Sequence, residues 1–342
     1  MQKVLTKKTP KLTIGYATHN RKDYIVRRLN SLISKSIPNN VEIIVVDNKS
    51  TDGSFEAILD LVDGSNIRAY QNNENLGFAG NFIEIIKKAT GDYVMWSSDE
   101  DEIDIDRIQR LFDWMKGDEF DAIFLNHYRK ESTGKLTPLR KNKTRRLGYN
   151  DLWECCHLPG IVWNRTAALD NLKDWGELKE TYHQLSRYYP NLMLLIRTMP
   201  HLRSYFFDGY ITYQKDFAKS QHTYKTGMKY YHLNPRWLQH VELLDFISSC
   251  IKHEKQSHRE KYLFRIGESL NRNLYNYLSE SIRQENPYLY SYFSRSCSPI
   301  YIIRRWYSII KLVFKSLFDD PLLAIYRVKK RLKVRYMHNN KL

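Results

Sequence analysis

The sequence predicts an α/β protein, with a mostly parallel β-sheet in its first part and a helical C-terminal region after it. Two observations predict this fold class. From residue 11 to residue 126, short apolar and β-branched segments alternate with segments of helical periodicity, as in proteins whose parallel strands are buried on both faces. From about residue 233 onward, apolar residues recur at helical spacing only. Because parallel strands are joined by crossover helices, we expect the first part to form one sheet domain.

The elements of the first part can be assigned in chain order. Strands are predicted at 11–18, 41–47, 66–72, 92–98 and 120–126, and helices at 21–33, 50–62, 78–90 and 104–116. Core-facing stripes are predicted in the first two helices, at Ile25, Leu29 and Leu32 and at Ile58, Leu59, Leu61 and Val62. The second helix is expected to begin at the capping residues Ser50, Thr51 and Asp52.

The rest of the chain gives weaker patterns. Residues 127–150 are polar and basic and predict a loop or hairpin, and residues 151–216 are mixed and aromatic. Two helical stripes follow, at Trp237, Val241, Leu244, Ile247 and Ile251 and at Tyr262, Ile266, Leu270, Leu274, Tyr277 and Leu278. Both stripes are expected to be helix core. The predicted domains are therefore 1–225 and a helical, basic region, 226–342.

Composition indicates a globular protein in a reducing compartment. The chain has 342 residues, 42% of them hydrophobic and 27% charged. Its four cysteines lack metal-ligand spacing, and two of them, Cys155 and Cys156, are adjacent, which is poor geometry for a disulfide. The sequence predicts neither a signal peptide nor a membrane-spanning helix. A cytoplasmic location is expected.

Polar residues follow each of the first four predicted strands. These segments are THNR (18–21), DNKSTD (47–52), NNENLGFAGN (72–81) and SSDEDE (97–102). Open α/β sheets bind ligands beyond the carboxyl ends of their strands, so we expect the four segments to converge. In an extended segment Asp99 and Asp101 leave the backbone on the same side. Two such carboxylates suit Mg²⁺ or Mn²⁺, and a metal-bridged diphosphate is the leaving group that they favour.

Other interpretations of these segments are weaker. The acids of 99–104 could simply stabilise a helix N-terminus, and Asp104 and Asp106 are expected to do only that. An EF-hand is excluded because the loop's glycine position would fall on Asp104. A dinucleotide site is disfavoured because the glycines of 77–80 do not follow the first strand. Each segment alone is compatible with these other interpretations. Only the four segments together, in this order along the chain, indicate a particular kind of site.

That ordered set resembles the family-2 glycosyltransferases of GT-A fold, closely over residues 11–126 and loosely over 127–216. LTIGYATHNR is similar to an opening strand that usually ends in P-T-Y-N-R, with Ala17 and His19 as departures. VEIIVVDNKSTDGS is similar to E-I-I-V-V-D-D-G-S-x-D, with Asn48 and Lys49 in place of Asp-Gly. NNENLGFAGNF is similar to the N-x-G…N stretch, and GDYVMWSSDEDEI to the strand that leads into the D-x-D motif.

The resemblance implies an inverting transfer of a sugar from a nucleotide-diphosphate donor, with UDP as the first expectation. It implies a donor half at 11–126 and an acceptor half at 127–225. It assigns Asp99 and Asp101 to a bound Mg²⁺ or Mn²⁺, and Glu100 between them is a departure that could alter the metal preference. The residues that it assigns to the nucleotide-sugar are Thr18, Asn20, Arg21, Asp47, Asn75, Gly77, Asn81 and Asp99.

An inverting transfer also needs a general base, which takes the proton of the acceptor hydroxyl. The family usually supplies it as an Asp or Glu, often in an E-D pair, and no such pair occurs between residues 150 and 216. Within residues 174–196, Glu177, Glu180 and His183 are available. We select Glu180 or His183, which could share one helix face at a spacing of three residues.

The C-terminal segment is strongly basic. Residues 299–342 hold 11 Lys and Arg residues against two acids, in a chain of net charge +16. An apolar face opposite a basic face, followed by six basic residues in 327–335, is typical of a helix that lies on an anionic membrane. We therefore expect residues 299–336 to contact the inner face of the cell membrane, where a glycan or a polyprenyl-diphosphate-linked acceptor would be presented. A basic helix packed on its own protein is the alternative, and no nucleic acid partner is expected.

The expected activity is thus a glycosyltransferase for surface polysaccharide, such as capsule, O-antigen or lipooligosaccharide. One rival is a sugar-phosphate nucleotidyltransferase, although a glycine-rich loop is missing after the first strand. Another is a degenerate, non-catalytic module of the same fold that docks through its basic tail. The sequence leaves the sugar, the acceptor and the oligomeric state open, and the C-terminal helices could mediate an oligomer.

Overall fold

The computed structural model describes residues 11–116, 118–147, 151, 158–198, 203–215 and 233–250. Its strands are β1 (Leu12–Thr18), β2 (Val41–Asp47), β3 (Ile67–Gln71), β4 (Tyr93–Ser98), β5 (Asp101–Ile103), β6 (Ala122–Leu125), β7 (His127–Lys130), β8 (Leu136–Arg140), β9 (Arg145–Arg146), β10 (Ile161–Asn164), β11 (Ser204–Phe207) and β12 (Thr212–Gln214). Its α-helices are α1 (Lys22–Ile33), α2 (Ser54–Val62), α3 (Gly77–Lys88), α4 (Ile108–Met115), α5 (Arg165–Asp170), α6 (Trp175–Thr181), α7 (His183–Tyr188), α8 (Pro190–Thr198) and α9 (Leu233–Cys250), and a 3-10 helix spans Ile105–Arg107.

The main sheet has eight strands in the order β3-β2-β1-β4-β10-β6-β11-β9. Strands β3, β2, β1 and β4 are all parallel, as the sequence predicts. Strand β10 separates β4 from β6 and runs antiparallel to both. The mostly parallel α/β fold is therefore confirmed. The carboxyl ends of β2, β1 and β4 lie side by side.

Both faces of the parallel strands are covered by helices. The predicted stripe of α1 is buried at Ile25, Leu29 and Leu32 and packs into one core with α4 and the strands. On the opposite face α3 approaches β1 so closely that a Cβ atom at Gly15 would collide with Cγ2 of Ile85. The close approach explains why a glycine lies in the middle of a buried strand.

A second sheet of four strands has the order β5-β12-β7-β8. Strands β7 and β8 are an antiparallel hairpin, which confirms the hairpin alternative for residues 127–150. Strand β5 lies within the acidic segment and pairs antiparallel with β12, with Asp101 opposite Gln214. This pairing buries Asp101 and Glu102, so these two acids do not belong to a solvated helix end.

Two details of α2 differ from the prediction. The helix begins at Ser54, and its N-cap is Gly53 with a φ of 78°, so residues 50–52 lie in the preceding loop. Leu59 was predicted to face the core but is 46% exposed, whereas Ile58 is fully buried. The prediction was wrong at Leu59, because the helix turns Ile58 into the core and packs Leu61 and Val62 against it, which leaves Leu59 facing solvent.

The described part of the C-terminal region is α9. Its predicted stripe is only partly correct, since Ile247 is buried while Val241 is 44% exposed, and Leu243 and Phe246 are buried instead. The chain divides into two compact units. The first unit contains β1 to β12 together with Glu242–Phe246 of α9. The boundary at 225/226, the second helical stripe from Tyr262 and the basic segment 299–336 lie outside the described residues. Among the described helices, none has the length and hydropathy needed to cross a membrane.

Candidate active site

The loops that follow β1 and β2 are bound to each other. The backbone N–H of Asn20 donates to Ser50 Oγ at 2.8 Å, and Asn20 Oδ1 accepts from the N–H of Thr51 at 2.7 Å. Asp52 accepts from the N–H of Lys22, the first residue of α1, at 3.1 Å. Asp52 also accepts from the N–H of Ser54, the first residue of α2, at 3.0 Å, so one of the residues predicted to cap α2 stabilises the start of both helices. These bonds hold the first two strand-end segments together, as the sequence predicts.

Asp47 lies at the end of β2 and is fully buried. Its carboxylate accepts from the N–H of Ser50 at 2.9 Å, from the Ser50 hydroxyl, and from Gln71 Nε2 at 3.0 Å. These three donors compensate the cost of burying the charge and fix its orientation. Gln71 ends the neighbouring strand β3, and the sequence analysis did not identify it.

An asparagine network binds the segment 72–81 to the end of β2. Asn48 donates to Asn75 Oδ1 at 2.8 Å and to the carbonyl of Gly77 at 3.2 Å. Asn48 Oδ1 in turn accepts from the N–H of Leu76 at 2.9 Å. Asn72 donates to both Asn48 and Asn81, at 3.0 and 3.1 Å. Asn48, a departure from the family pattern, is therefore the centre of a network that fixes the start of α3.

The acidic segment begins with Asp99, which is 1% exposed and lies against the end of β1. The Thr18 hydroxyl donates to Asp99 Oδ2 at 3.0 Å, and Arg21 Nη1 lies 2.9 Å from Asp99 Oδ1. The same guanidinium contacts Glu100 Oε1 at 2.6 Å. Burial raises the pKa of Asp99 to about 6, against the opposing effects of Arg21 and Thr18. Thr18, Arg21 and Asp99, predicted separately, are thus direct neighbours.

Asp101 is 2% exposed and lies beside a histidine that the sequence analysis missed. Its Oδ2 accepts from the N–H of Ser98 at 3.1 Å, and its Oδ1 lies 3.8 Å from Nε2 of His127, which is 1% exposed. Burial is the main cause that raises the pKa of Asp101 to about 7, and the charges of Glu100 and Asp99 add to it. His127 comes from the second sheet, so its proximity could not be inferred from sequence spacing.

Asp99 and Asp101 are carboxylates of the kind that a divalent cation binds. Within the described ranges no three His, Cys, Asp or Glu side chains form a group arranged to hold a metal ion. Both oxygens of Asp99 already have partners, in Thr18 and Arg21. Asp101 Oδ1 and the His127 imidazole lie close without a hydrogen bond between them. Mg²⁺ commonly takes one or two carboxylates and completes its shell with water and phosphate oxygens.

Glu102 has a structural role next to this site. It accepts from Arg28 of α1, which is 3% exposed, and from the Ser31 hydroxyl, and it lies 3.3 Å from Lys35 Nζ and 3.2 Å from Lys215 Nζ. Burial alone would raise its pKa, but these donors together lower the pKa of Glu102 below its usual value. The cluster fixes β5 on α1 and so determines the position of Asp101.

The two predicted bases lie on separate helices. Glu180 is in the last turn of α6, whereas His183 begins α7, and the backbone of Tyr182 between them leaves the helical region with ψ 61°. The prediction that they share a helix face was therefore wrong. Both side chains are exposed. The hydrogen bonds found among the described residues do not link either side chain to the strand-end cluster.

Comparisons with known proteins give a consistent picture. Residues 13–172 match the sequence model of the family described as Glycosyl transferase family 2. The chain is 26% identical over 196 residues to the abequosyltransferase RfbV of Salmonella typhimurium, covering 52% of this chain and 58% of that protein. It is 27% identical over 118 residues to the glycosyltransferase GlyA of Streptococcus pneumoniae, covering 34% of this chain and 17% of that protein. The chain thus spans less than two thirds of either relative.

Among solved structures, the chain is similar to residues 1–349 of TarS from S. aureus. The TM-score is 0.57 at 16% identity, over 76% of this chain and 71% of that one. Structures of the same TarS fragment contain UDP, with a TM-score of 0.57 at 16% identity, and UDP-GlcNAc, with a TM-score of 0.55 at 17% identity. The match to the UDP complex covers 84% of this chain and 76% of the TarS chain. The match to the UDP-GlcNAc complex covers 80% of this chain and 81% of the TarS chain. At these identities the likeness shows the fold.

Proposed function

We propose that this chain, whose residues 13–172 match the model of Glycosyl transferase family 2 and whose fold is GT-A-like, transfers a sugar from a nucleoside-diphosphate donor to a glycan acceptor. One observation supports this proposal most strongly. Asp47, the Asn48 network and the carboxylates 99–101 lie together at the adjoining ends of β2, β1 and β4. In open α/β sheets, this edge is where nucleotides bind. The match to an abequosyltransferase supports a role in surface-polysaccharide synthesis.

The proposed donor site uses the residues that the sequence analysis selected. Asp47 and Thr18 would face the base and ribose, and Asn20, Asn75, Gly77 and Asn81 would shape the pocket around them. Their hydrogen bonds to one another support this assignment, because a preorganised pocket loses little entropy when a ligand binds. UDP is the first candidate nucleotide, since a protein of the same fold is seen with UDP and with UDP-GlcNAc.

The diphosphate would lie against Arg21, Asp99 and Asp101. Arg21 now contacts Asp99 and Glu100, and its fork of donors also suits phosphate oxygens. A divalent Mg²⁺ or Mn²⁺, held by Asp101 with Asp99 beside it, would supply charge stabilisation to the departing nucleoside diphosphate. The proton of the acceptor hydroxyl would pass to Glu180 or His183, and the sugar would be transferred with inversion. The exposure of both side chains is compatible with contact to an acceptor.

The acceptor is proposed to be a glycan carried on a polyprenyl diphosphate at the cytoplasmic face of the cell membrane. The support is the sequence of residues 299–336, which combines an apolar face with a basic one. An anionic bilayer would attract this segment and bring the enzyme to a lipid-linked acceptor.

Asp101→Asn tests this function directly. With UDP-sugars as donors and no acceptor, slow donor hydrolysis releases UDP, which can be measured without knowing the acceptor. We expect Asp101→Asn to reduce this release about 100-fold or more, because several kcal/mol of charge stabilisation are lost. The matched control is Asp106→Asn at an exposed acid of the same segment, with no expected change. Equal rates in both variants would overturn the proposal, and activity with a sugar phosphate and a nucleoside triphosphate would favour the nucleotidyltransferase.

A further inference from the structure

Arg21 divides its guanidinium group between two carboxylates of the segment that follows β4. Its Nη1 lies 2.9 Å from Asp99 Oδ1, and its Nη2 lies 2.6 Å from Glu100 Oε1. The proposed function places the diphosphate of the donor against the same guanidinium group. One cation shared by two anions carries a net negative charge, which repels a diphosphate. The diphosphate therefore gains the full attraction of Arg21 only when one of the two contacts breaks.

Burial decides which contact breaks. The Asp99 side chain is 2% exposed and also accepts from the Thr18 hydroxyl at 3.0 Å. The side chains of Arg21 and Glu100 are 25% and 22% exposed, so water reaches both. Separating a buried ion pair leaves a charge without compensation and costs far more than separating a pair that water reaches. Arg21 therefore keeps its contact with Asp99 and releases Glu100.

Glu100 keeps its place when Arg21 leaves it. Its second oxygen, Oε2, accepts from Gln214 Nε2 at 3.1 Å, at the end of β12. Its N–H donates to Ser98 Oγ at 3.1 Å, and its carbonyl accepts from the N–H of Lys215 at 3.2 Å. These bonds satisfy the released carboxylate in part and hold it within reach of Arg21. The contact can therefore form again.

Resting on the proposed function, we propose that Glu100 and the diphosphate of the nucleotide compete for the same N–H donors of Arg21. One arm of the guanidinium group moves from Glu100 to a phosphate oxygen when the donor binds, and it returns to Glu100 when the nucleoside diphosphate leaves. The planar fork of arginine suits this exchange, because one arm stays on Asp99 while the other changes its partner. Glu100 thus weakens the binding of the product and favours its release.

Calorimetric titration of the full chain with UDP and with uridine tests this proposal. Uridine lacks the diphosphate and reports the contacts of base and ribose alone, and EDTA in every titration excludes effects of a bound metal ion. Glu100→Gln removes the competing charge, and we expect UDP affinity to rise about fivefold or more while uridine affinity changes by less than about twofold. Glu100→Asp keeps the charge but is too short to contact Nη2 of Arg21, and it should raise UDP affinity about threefold.

A matched control separates this exchange from a general effect of charge. The Glu84 side chain of α3 is 21% exposed and is paired with Lys87 and Lys88, so Glu84→Gln also loses a charge and its ion pairs. It should leave both affinities unchanged. Thermal unfolding without ligand shows whether each variant folds.

Two results would overturn the exchange while uridine binding leaves the proposed transferase intact. One is wild-type UDP affinity in folded Glu100→Gln. The other is tighter UDP binding in Glu100→Gln with wild-type affinity in Glu100→Asp, because charge alone would then explain the change. If the wild type binds neither uridine nor UDP, the proposed donor site itself is wrong, and the exchange with it.

Discussion

At the scale of single residues, backbone strain occurs at the candidate site. Asn20 and Lys49 are the two non-glycine residues with positive φ in the described part of the chain, at 52° and 61°. Asparagine tolerates this conformation, whereas an ordinary side chain pays about 1–2 kcal/mol for it. Lys49 stands where the resembled family usually has glycine. The strain therefore falls on a site loop, as is common where function constrains the backbone.

Lys49→Gly should stabilise the protein. Glycine removes the left-handed strain of about 1–2 kcal/mol, and its greater freedom in the unfolded chain costs about 0.5–1 kcal/mol. We expect a net gain of roughly 0.5–1 kcal/mol in the free energy of unfolding, measured by urea denaturation. Asn20→Gly is the opposite case, because it loses the bond to the N–H of Thr51 and should destabilise. A destabilised Lys49→Gly would show that the lysine side chain makes a contact worth more than the strain.

The sequence predicted that most of the candidate residues lie close together, but it identified few of their partners. Thr18, Arg21, Asp47 and Asp99 were identified because they follow buried strands whose order fixes where they meet. Gln71 was missed because a glutamine at a strand end has no specific signal. His127 was missed because its position near Asp101 depends on the pairing of β5 and β7 with β12, which is distant in sequence from both.

At the scale of elements, the segment 72–77 is the part of the site that depends most on a single side chain. Asn48→Asp keeps the oxygen that accepts from Leu76 but loses the amide that donates to Asn75 and Gly77. We expect hydrogen exchange in 72–77 to accelerate and the KM for the donor to rise about tenfold, with kcat little changed, because about 1 kcal/mol per bond is lost. Asn66→Asp at an exposed asparagine is the control. Unchanged exchange in Asn48→Asp would contradict the role of the network.

The attachment of β5 to α1 gives a second prediction at this scale. Arg28→Met leaves the carboxylate of Glu102 buried with the more exposed Lys35 and Lys215 as its remaining charged partners. Removing one member of a buried ion pair costs about 3–5 kcal/mol, and we expect the lower end of that range. The double variant Arg28→Met/Glu102→Leu should recover part of the loss, as urea denaturation can show. A double variant less stable than the single one would mean that Glu102 is held mainly by its other partners.

Elements set by local signals were predicted well, and those made by distant pairing were not. The β1–α1–β2 and β3–α3–β4 segments follow from apolar periodicity and are confirmed. Strand β5 has only three residues and exists because β12 pairs with it. Strand β10 enters the sheet antiparallel between β4 and β6, which no local pattern indicates.

At the scale of the whole molecule, the candidate donor site and most of the positive charge lie in different parts of the sequence. The described residues between 11 and 126 contain the candidate nucleotide site, and the sequence predicted their parallel strands and crossover helices but not strand β5. Residues 299–342, with 11 Lys and Arg, lie outside the described residues.

The central claim is that the ends of β1, β2 and β4 bind a nucleoside diphosphate. Thermal unfolding with UDP, GDP, CDP and dTDP, each with Mn²⁺ and with EDTA, tests it most directly. One nucleotide at about 100 times its dissociation constant should stabilise the wild type by about 2.7 kcal/mol. Asp47→Ala should lose this shift, whereas Asp63→Ala, at an exposed acid that follows α2, should keep it. No shift with any of the four nucleotides, or an equal shift in Asp47→Ala, would contradict the account.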